Sequence, residues 1–185
     1  MSGRISKLFK WGVSALRVVK VRVAAGSRMK VAAGKPLYLG KGARVVLGEG
    51  ASLTVGSGVY LSPGCVVQVG DGASLELGDG VCMNDGCRVT VVESTRIGAD
   101  TLFGPNVQIY DHDHEFDEGV RLELRCAPVL IGRRCWLCAN TVVTRGCSIA
   151  DRSLVSANSV VTRDLAEADA LYAGAPARLI KRYDR

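Results

Sequence analysis

Residues 131–161 read IGRRCWLCANTVVTRGCSIADRSLVSANSVV, and an aliphatic residue returns at every sixth position: Ile131, Leu137, Val143, Ile149, Val155 and Val161. Four places after each of the first five stands something small, namely Cys135, Thr141, Cys147, Ser153 and Ser159. A period of six fits neither a helix of 3.6 residues per turn nor an alternating strand. It marks a hexapeptide β-helix, in which each six residues form one short strand and a corner. Three strands make a triangular coil, so Ile131 is expected under Ile149 and Val143 under Val161.

The repeat extends upstream. Residues 47–68, LGEGASLTVGSGVYLSPGCVVQ, align without gaps on 69–90, VGDGASLELGDGVCMNDGCRVT, with Gly48/Gly70, Leu53/Leu75, Gly56/Gly78 and Cys65/Cys87 identical. This longer unit is the same coil with two sides stretched, at Leu53-Thr54-Val55 and Val67-Gln68-Val69. The pattern continues through Ile97, Phe103 and Ile109, breaks over 110–128 (YDHDHEFDEGVRLELRCAP) and resumes by Ile131. Insertions in a solenoid leave the stack and often carry the binding work. The break is therefore the expected seat of the chemistry.

At 185 residues the length suits one domain with a sizeable core. Hydrophobic content of 48% with only 5% aromatics fits a narrow aliphatic column. The glycines belong at coil corners, where positive φ or close approach is needed. Of the seven cysteines, Cys65, Cys87, Cys135 and Cys147 fall on the small inward site, where a free thiol acts as compact filler. An odd count and the lack of a signal-peptide pattern imply a reducing, cytoplasmic setting. One Cys-x-x-Cys, at 135–138, has no second pair, and its first member is explained by packing, so no metal is expected.

Charge divides the chain. Residues 1–48 hold eleven Lys or Arg and no Asp or Glu, and the rest holds 13 basic against 18 acidic residues. Residues 1–24 read as a basic amphipathic helix ahead of a repeat domain over 25–185. Its apolar stripe is Ile5, Leu8, Phe9, Gly12, Leu16 and Val19, with Arg4, Lys7, Lys10, Arg17 and Lys20 on other faces. Two roles are open for it. It can cap the first coil, since solenoid ends must cover their core. It can also bring residues 1–22 to the inner face of an anionic membrane, and one helix can do both. Nucleic acid is not an expected partner, because no stacking aromatics interleave the cations and the body has no basic face.

The chain contains only two histidines, His112 and His114, both in the insertion, within Tyr110-Asp111-His112-Asp113-His114-Glu115-Phe116-Asp117. An imidazole beside carboxylates suits a general base, because a carboxylate fixes the tautomer and stabilises the imidazolium.

Three motifs then carry a family resemblance. They are Pro128-Val129-x-Ile131-Gly132 followed by Trp136; Ser156-Ala157-x-Ser159-Val160-Val161-Thr162; and Ala173-Gly174-x-Pro176-Ala177-Arg178. Over about 95–182 the chain resembles the hexapeptide-repeat O-acetyltransferases that act on sugars and polysaccharides. The resemblance implies an all-β fold, a left-handed parallel β-helix working as a homotrimer with active sites between subunits. In that family the base lies 24 residues before the tryptophan, which is the spacing of His112 to Trp136 and not of His114. His-Asp, here His112-Asp113, looks like the capsule, exopolysaccharide and O-antigen branch. The implied reaction is direct attack of an acceptor-glycan hydroxyl on acetyl-CoA, with a backbone N–H near Ala139 holding the oxyanion. Asn84, Asp111, Asp113, His114 and Trp136 are the expected acceptor contacts. Trp136, Ala139, Ala157, Thr162, Arg163, Arg178 and Lys181 are the expected CoA contacts, with Arg178 and Lys181 preferred to Arg182. The GAPARLIKRY run at 174–183 reads as a short C-terminal helix.

Two other readings use the same scaffold: N-acetylation of a nucleotide-linked amino sugar, and a non-catalytic binding or structural module. A carbonic anhydrase of this fold needs three histidine ligands and is nearly excluded by two.

Overall fold

The computed structural model describes residues 2–116 and 119–183, the side chains of 2–9, 116 and 120–122 excepted. Three parallel sheets wrap one core. The first face stacks Met29–Val31, Ser52–Val55, Ser74–Leu77, Ser94–Ile97, Val129–Ile131 and Ser148–Ile149. The second runs from Tyr38–Leu39 through Trp136–Leu137 to Leu154–Val155, and the third from Arg44–Leu47 through Gln108–Tyr110 to Val160–Val161. The chain visits the faces in that order in every coil, giving the parallel β-solenoid of a hexapeptide β-helix, consistent with left-handed winding.

The register is the one the sixfold spacing requires. Ile131 pairs with Ile149, Val143 with Val161, and Leu53 with Leu75. The aliphatic positions and the small positions Cys135, Thr141, Cys147, Ser153 and Ser159 are all buried. Each buried Val, Leu or Ile contributes roughly 1.5–3 kcal/mol, so the column supplies most of the cohesion. All seven cysteines are free.

Corners follow two devices. Residues at positive φ turn the chain, Asn106, Asn140 and Asn158 recurring on one edge. Corner aspartates accept an N–H from the coil below: Asp71 from Glu49, Asp79 from Ser57, Asp151 from Arg133 and Asp164 from Ser148. Coil-to-coil contact at these corners leaves no room for a side chain at several glycines. A Cβ on Gly104 would sit 2.6 Å from the Ala139 nitrogen and 2.9 Å from the Cys138 carbonyl carbon.

The helix Ser2–Ala25 caps the first coil, but not with the stripe expected. Ser14 and Ala25 are buried, and Val18 and Val21 pack on the core. The Ser14 hydroxyl accepts the Leu39 N–H at 2.8 Å, and Arg17 donates to the Leu39 carbonyl at 3.0 Å. Arg28 closes the junction, donating to the carbonyls of Ala24, Ala25, Leu47 and Gly48. Leu16 and Val19 of the expected stripe face outward. The side chains of Ile5, Leu8, Phe9, Arg4 and Lys7, and Asp117, lie outside the described residues.

The C-terminus corrects the sequence reading. There is no helix over 174–183; Ala170–Ala173 and Arg178–Arg182 form an antiparallel hairpin added to the second face. Leu171 and Tyr172 pair with Leu154 and Val155, supplying the open edge of the last coil with partners that a helix could not. Gly174, at φ 102°, makes the turn.

Gly104→Ala is expected to lower stability by about 1–3 kcal/mol through backbone displacement between coils, read as a drop in the denaturant midpoint.

Candidate active site

Gln108–Tyr110 ends the third face, and the chain then leaves the stack before rejoining the first face at Val129. The insertion is not an irregular loop. His112–Phe116 pairs antiparallel with Val120–Cys126, with His112 opposite Cys126 and His114 opposite Leu124. Two backbone bonds close its base, from the Ala127 N–H to the Asp111 carbonyl at 2.9 Å and from the Gly146 N–H to the Ala127 carbonyl at 3.1 Å. Arg145 reaches across to Asp113 at 2.7 Å and ties the ribbon to the coil above.

Asp111 is the centre of the arrangement. It repeats the corner-aspartate device where the chain departs, and its side chain is fully buried. One carboxylate oxygen accepts the Val92 N–H and the other the Glu93 N–H, each at 2.9 Å. The oxygen shared with Val92 also lies 3.0 Å from Nδ1 of His112. An ionised carboxylate only accepts, so the imidazole proton must sit on Nδ1, and the Nε2 lone pair is left free. The His112 side chain keeps 19% of its surface exposed, and the Tyr110 ring stands edge-on to it at 6.1 Å. That combination is a fixed, accessible base. Asp111, expected among the acceptor contacts, has no exposed surface in the single chain and lies against His112.

The remaining expected residues fall in three places. Thr162 and Arg163 share the edge between third and first faces with His112, and there Arg145 and Arg163 close the repeated VVTR of 142–145 and 160–163. Asn84, Ala139 and Ala157 lie on the edge between second and third faces. Asn84 spends its side-chain oxygen on the N–H of Asp85, as a corner residue does. Beside Ala139, the N–H groups of Cys138 and Asn140 go to the carbonyls of Val155 and Pro105. Trp136 is half exposed on the second face, between Leu102 and Leu154. Arg178 and Lys181 stand exposed on the last strand of that face, whereas Arg182 is held by Glu167. His114 is exposed further along the ribbon than His112.

In a triangular prism the edge bearing His112 lies opposite the face bearing Trp136. Within one chain His112 therefore lies on a different edge from Ala139 and off the face that carries Trp136. Sequence reasoning missed Tyr110 and Arg145 as residues close to His112 and Asp113; the VVTR repeat at 142–145 and 160–163 is the signal that could have found Arg145.

A nucleophilic thiol has no support here. Burial pushes Cys126, Cys135, Cys138 and Cys147 above the ordinary thiol range, and at Cys126 the nearby Asp111 and Glu93 add to the effect. Among the described residues, no three His, Cys, Asp or Glu side chains converge as metal ligands do.

With this geometry in hand, comparison defines the class. Residues 128–163 match the family described as hexapeptide repeat of succinyl-transferase. The lipopolysaccharide biosynthesis O-acetyl transferase WbbJ of Escherichia coli (strain K12) is 32% identical over 107 residues, covering 52% of this chain and 54% of its own length. The chain thus spans about half the length of that relative. A hexapeptide-repeat-containing acetyltransferase of Vibrio cholerae O1 biovar eltor, complexed with acetyl coenzyme A, is 29% identical over 80% of this chain and 71% of that one, with a TM-score of 0.51. A mutant of AntD, an N-acyltransferase from Bacillus cereus in complex with dTDP and coenzyme A, shares the fold at a TM-score of 0.75, with 15% identity and coverage of 90% and 89%. The chain is a hexapeptide-repeat protein with the architecture of the acyltransferases.

Asp111→Ala is expected to remove the acceptor shared by the N–H groups of Val92 and Glu93 and by His112, and to lower stability by about 1–3 kcal/mol in all. Amide exchange at Val92 and Glu93 should speed up, and nitrogen NMR should show His112 losing its Nδ1–H tautomer.

Proposed function

We propose that the protein is an acetyl-CoA-dependent O-acetyltransferase acting on a sugar hydroxyl of a polysaccharide, oligosaccharide or lipid-linked glycan. The observation that carries the reading is the His112 imidazole, which meets a buried carboxylate through Nδ1 while its side chain keeps 19% of its surface exposed. The acetyltransferases that resemble the chain support the same chemistry.

In this reading His112 Nε2 takes the proton of the acceptor hydroxyl as its oxygen attacks the thioester carbon. The backbone N–H of Ala139 from a neighbouring protomer meets the developing oxyanion, a contact of a kind that contributes about 3–4 kcal/mol when preorganised. Collapse breaks the carbon–sulfur bond, and the imidazolium returns its proton to the leaving thiolate. No acyl-cysteine is needed, since the thioester is already activated and the local thiols are held protonated by burial.

The separation of His112 from Trp136 and Ala139 within one chain supports a homotrimer with sites between protomers. CoA then lies along Ala139, Ala157 and Trp136 of one protomer, with Thr162 and Arg163 beside His112 on the next. Arg163, Arg178 and Lys181 are the exposed cations suited to its phosphates, Arg182 being engaged with Glu167. Asp113, His114 and Asn84 are placed as outer contacts of the acceptor, Asp113 through its ion pair with Arg145. The reading sets the protein in the cytoplasm, where a lipid-linked acceptor is presented at the inner face of the membrane.

His112→Ala is expected to slow free-thiol release from acetyl-CoA by about 10²–10⁴-fold with the fold intact by circular dichroism. Unchanged release would leave a non-catalytic module, and faster turnover of amino-sugar nucleotides than of glycan alcohols would make the enzyme an N-acetyltransferase. Cys126→Ser, in contrast, should release thiol as the wild type does.

A further inference from the structure

The N-terminal helix spends one side on the coil and leaves the other uncovered. Ser14, Val18, Val21 and Ala25 face the solenoid. At 3.6 residues per turn the opposite side carries Leu16, Val19 and Val23, exposed at 65%, 58% and 78%. Trp11 is spent on the coil side, edge-on to the Tyr38 ring at 5.0 Å, and Gly12 within the row is open to solvent. A Leu and two Val exposed on one side of a helix are more apolar surface than a lone exposed residue explains.

The surrounding charge is all of one sign. Lys20 and Arg22 border the row on the helix, and Lys30, Lys35, Lys41 and Arg44 are exposed on the first coil beneath it. The first acidic residue in the chain is Glu49. Nothing in the described helix is long and apolar enough to cross a membrane. An apolar strip bordered by cations, lying across the end of a rigid body, has the chemistry of a helix that beds in the interface of an anionic bilayer. Self-association through the same strip would set Lys20 and Arg22 of one copy against those of the other, a repulsion that a negatively charged surface removes.

We infer that Leu16, Val19 and Val23, with Lys20 and Arg22 beside them, form a docking surface for an anionic lipid bilayer. The helix's other face is locked to the solenoid by Ser14, Arg17 and Arg28, so the whole β-helix is held at a set orientation to the lipid. The inference deepens the reading of a membrane-presented acceptor and rests on it only for the purpose of docking. Vesicle binding and thiol release are separate measurements, and either can fail alone.

The test is co-sedimentation of the full chain with phosphatidylglycerol–phosphatidylcholine vesicles, against phosphatidylcholine vesicles alone. The protein should pellet with the anionic vesicles, remain free with the neutral ones, and dissociate as salt is raised. Leu16→Glu and Val19→Glu, at side chains 65% and 58% exposed, should each weaken binding about tenfold or more. Lys20→Glu with Arg22→Glu should weaken it and flatten the salt dependence. Leu130→Glu, also 50% exposed but outside the basic segment, should bind as the wild type does. The proposal is overturned if the wild type stays in the supernatant, if Leu16→Glu pellets undiminished, or if Leu16→Glu alters only the mass in light scattering, which would assign the strip to a second copy.

Discussion

A single buried carboxylate joins the fold of this protein to its chemistry. Asp111 accepts the N–H groups of Val92 and Glu93 from the coil below and the Nδ1 proton of His112 beside it. The first two contacts belong to the corner device that recurs at Asp71, Asp79, Asp151 and Asp164. The third converts that device into an orienting group for an imidazole. Because the carboxylate is fixed by the coil, the histidine inherits the rigidity of the stack. A base mounted on the ribbon alone would depend on a hairpin joined to the body by two backbone bonds and one half-exposed ion pair. Such a surface pair contributes only about 0.2–1 kcal/mol.

The solenoid spreads the expected site residues over separate edges and faces of one chain. Each face is a flat ladder with no pocket of its own, and the expected contacts are dealt out over two edges and the second face. Those edges bring Arg145 and Arg163 near the base and leave Ala139 and Ala157 elsewhere.

Much of this was legible in the residues. The sixfold spacing gave the pairing of Ile131 with Ile149 directly, because inward positions in a β-helix are set by coil length alone. The interruption after Tyr110 pointed to His112 because a strict repeat makes any departure conspicuous. What stayed hidden depended on tertiary context. The run from Gly174 to Tyr183 has residues a helix accepts, but the last coil's open edge recruits it as a strand. The first helix carries two apolar sides, and periodicity could not say which one meets the coil; Ser14 and Ala25 do, and Leu16 does not. Asp111 read as one of several acidic neighbours of the histidine. The corner device could be seen at Asp71, Asp79, Asp151 and Asp164, but those are exposed or half-buried, so no repeat position marked Asp111 as the buried one.

The central claim is that Nε2 of His112, fixed by Asp111, faces a thioester bound against a neighbouring protomer. A crystal structure of the chain with coenzyme A tests it most directly. The account predicts the thiol sulfur within hydrogen-bond reach of His112 Nε2, directly or through one water, with the pantetheine running along Ala139 and Ala157 of the adjacent chain. A coenzyme lodged wholly on one protomer, with its sulfur remote from every His112, would contradict it.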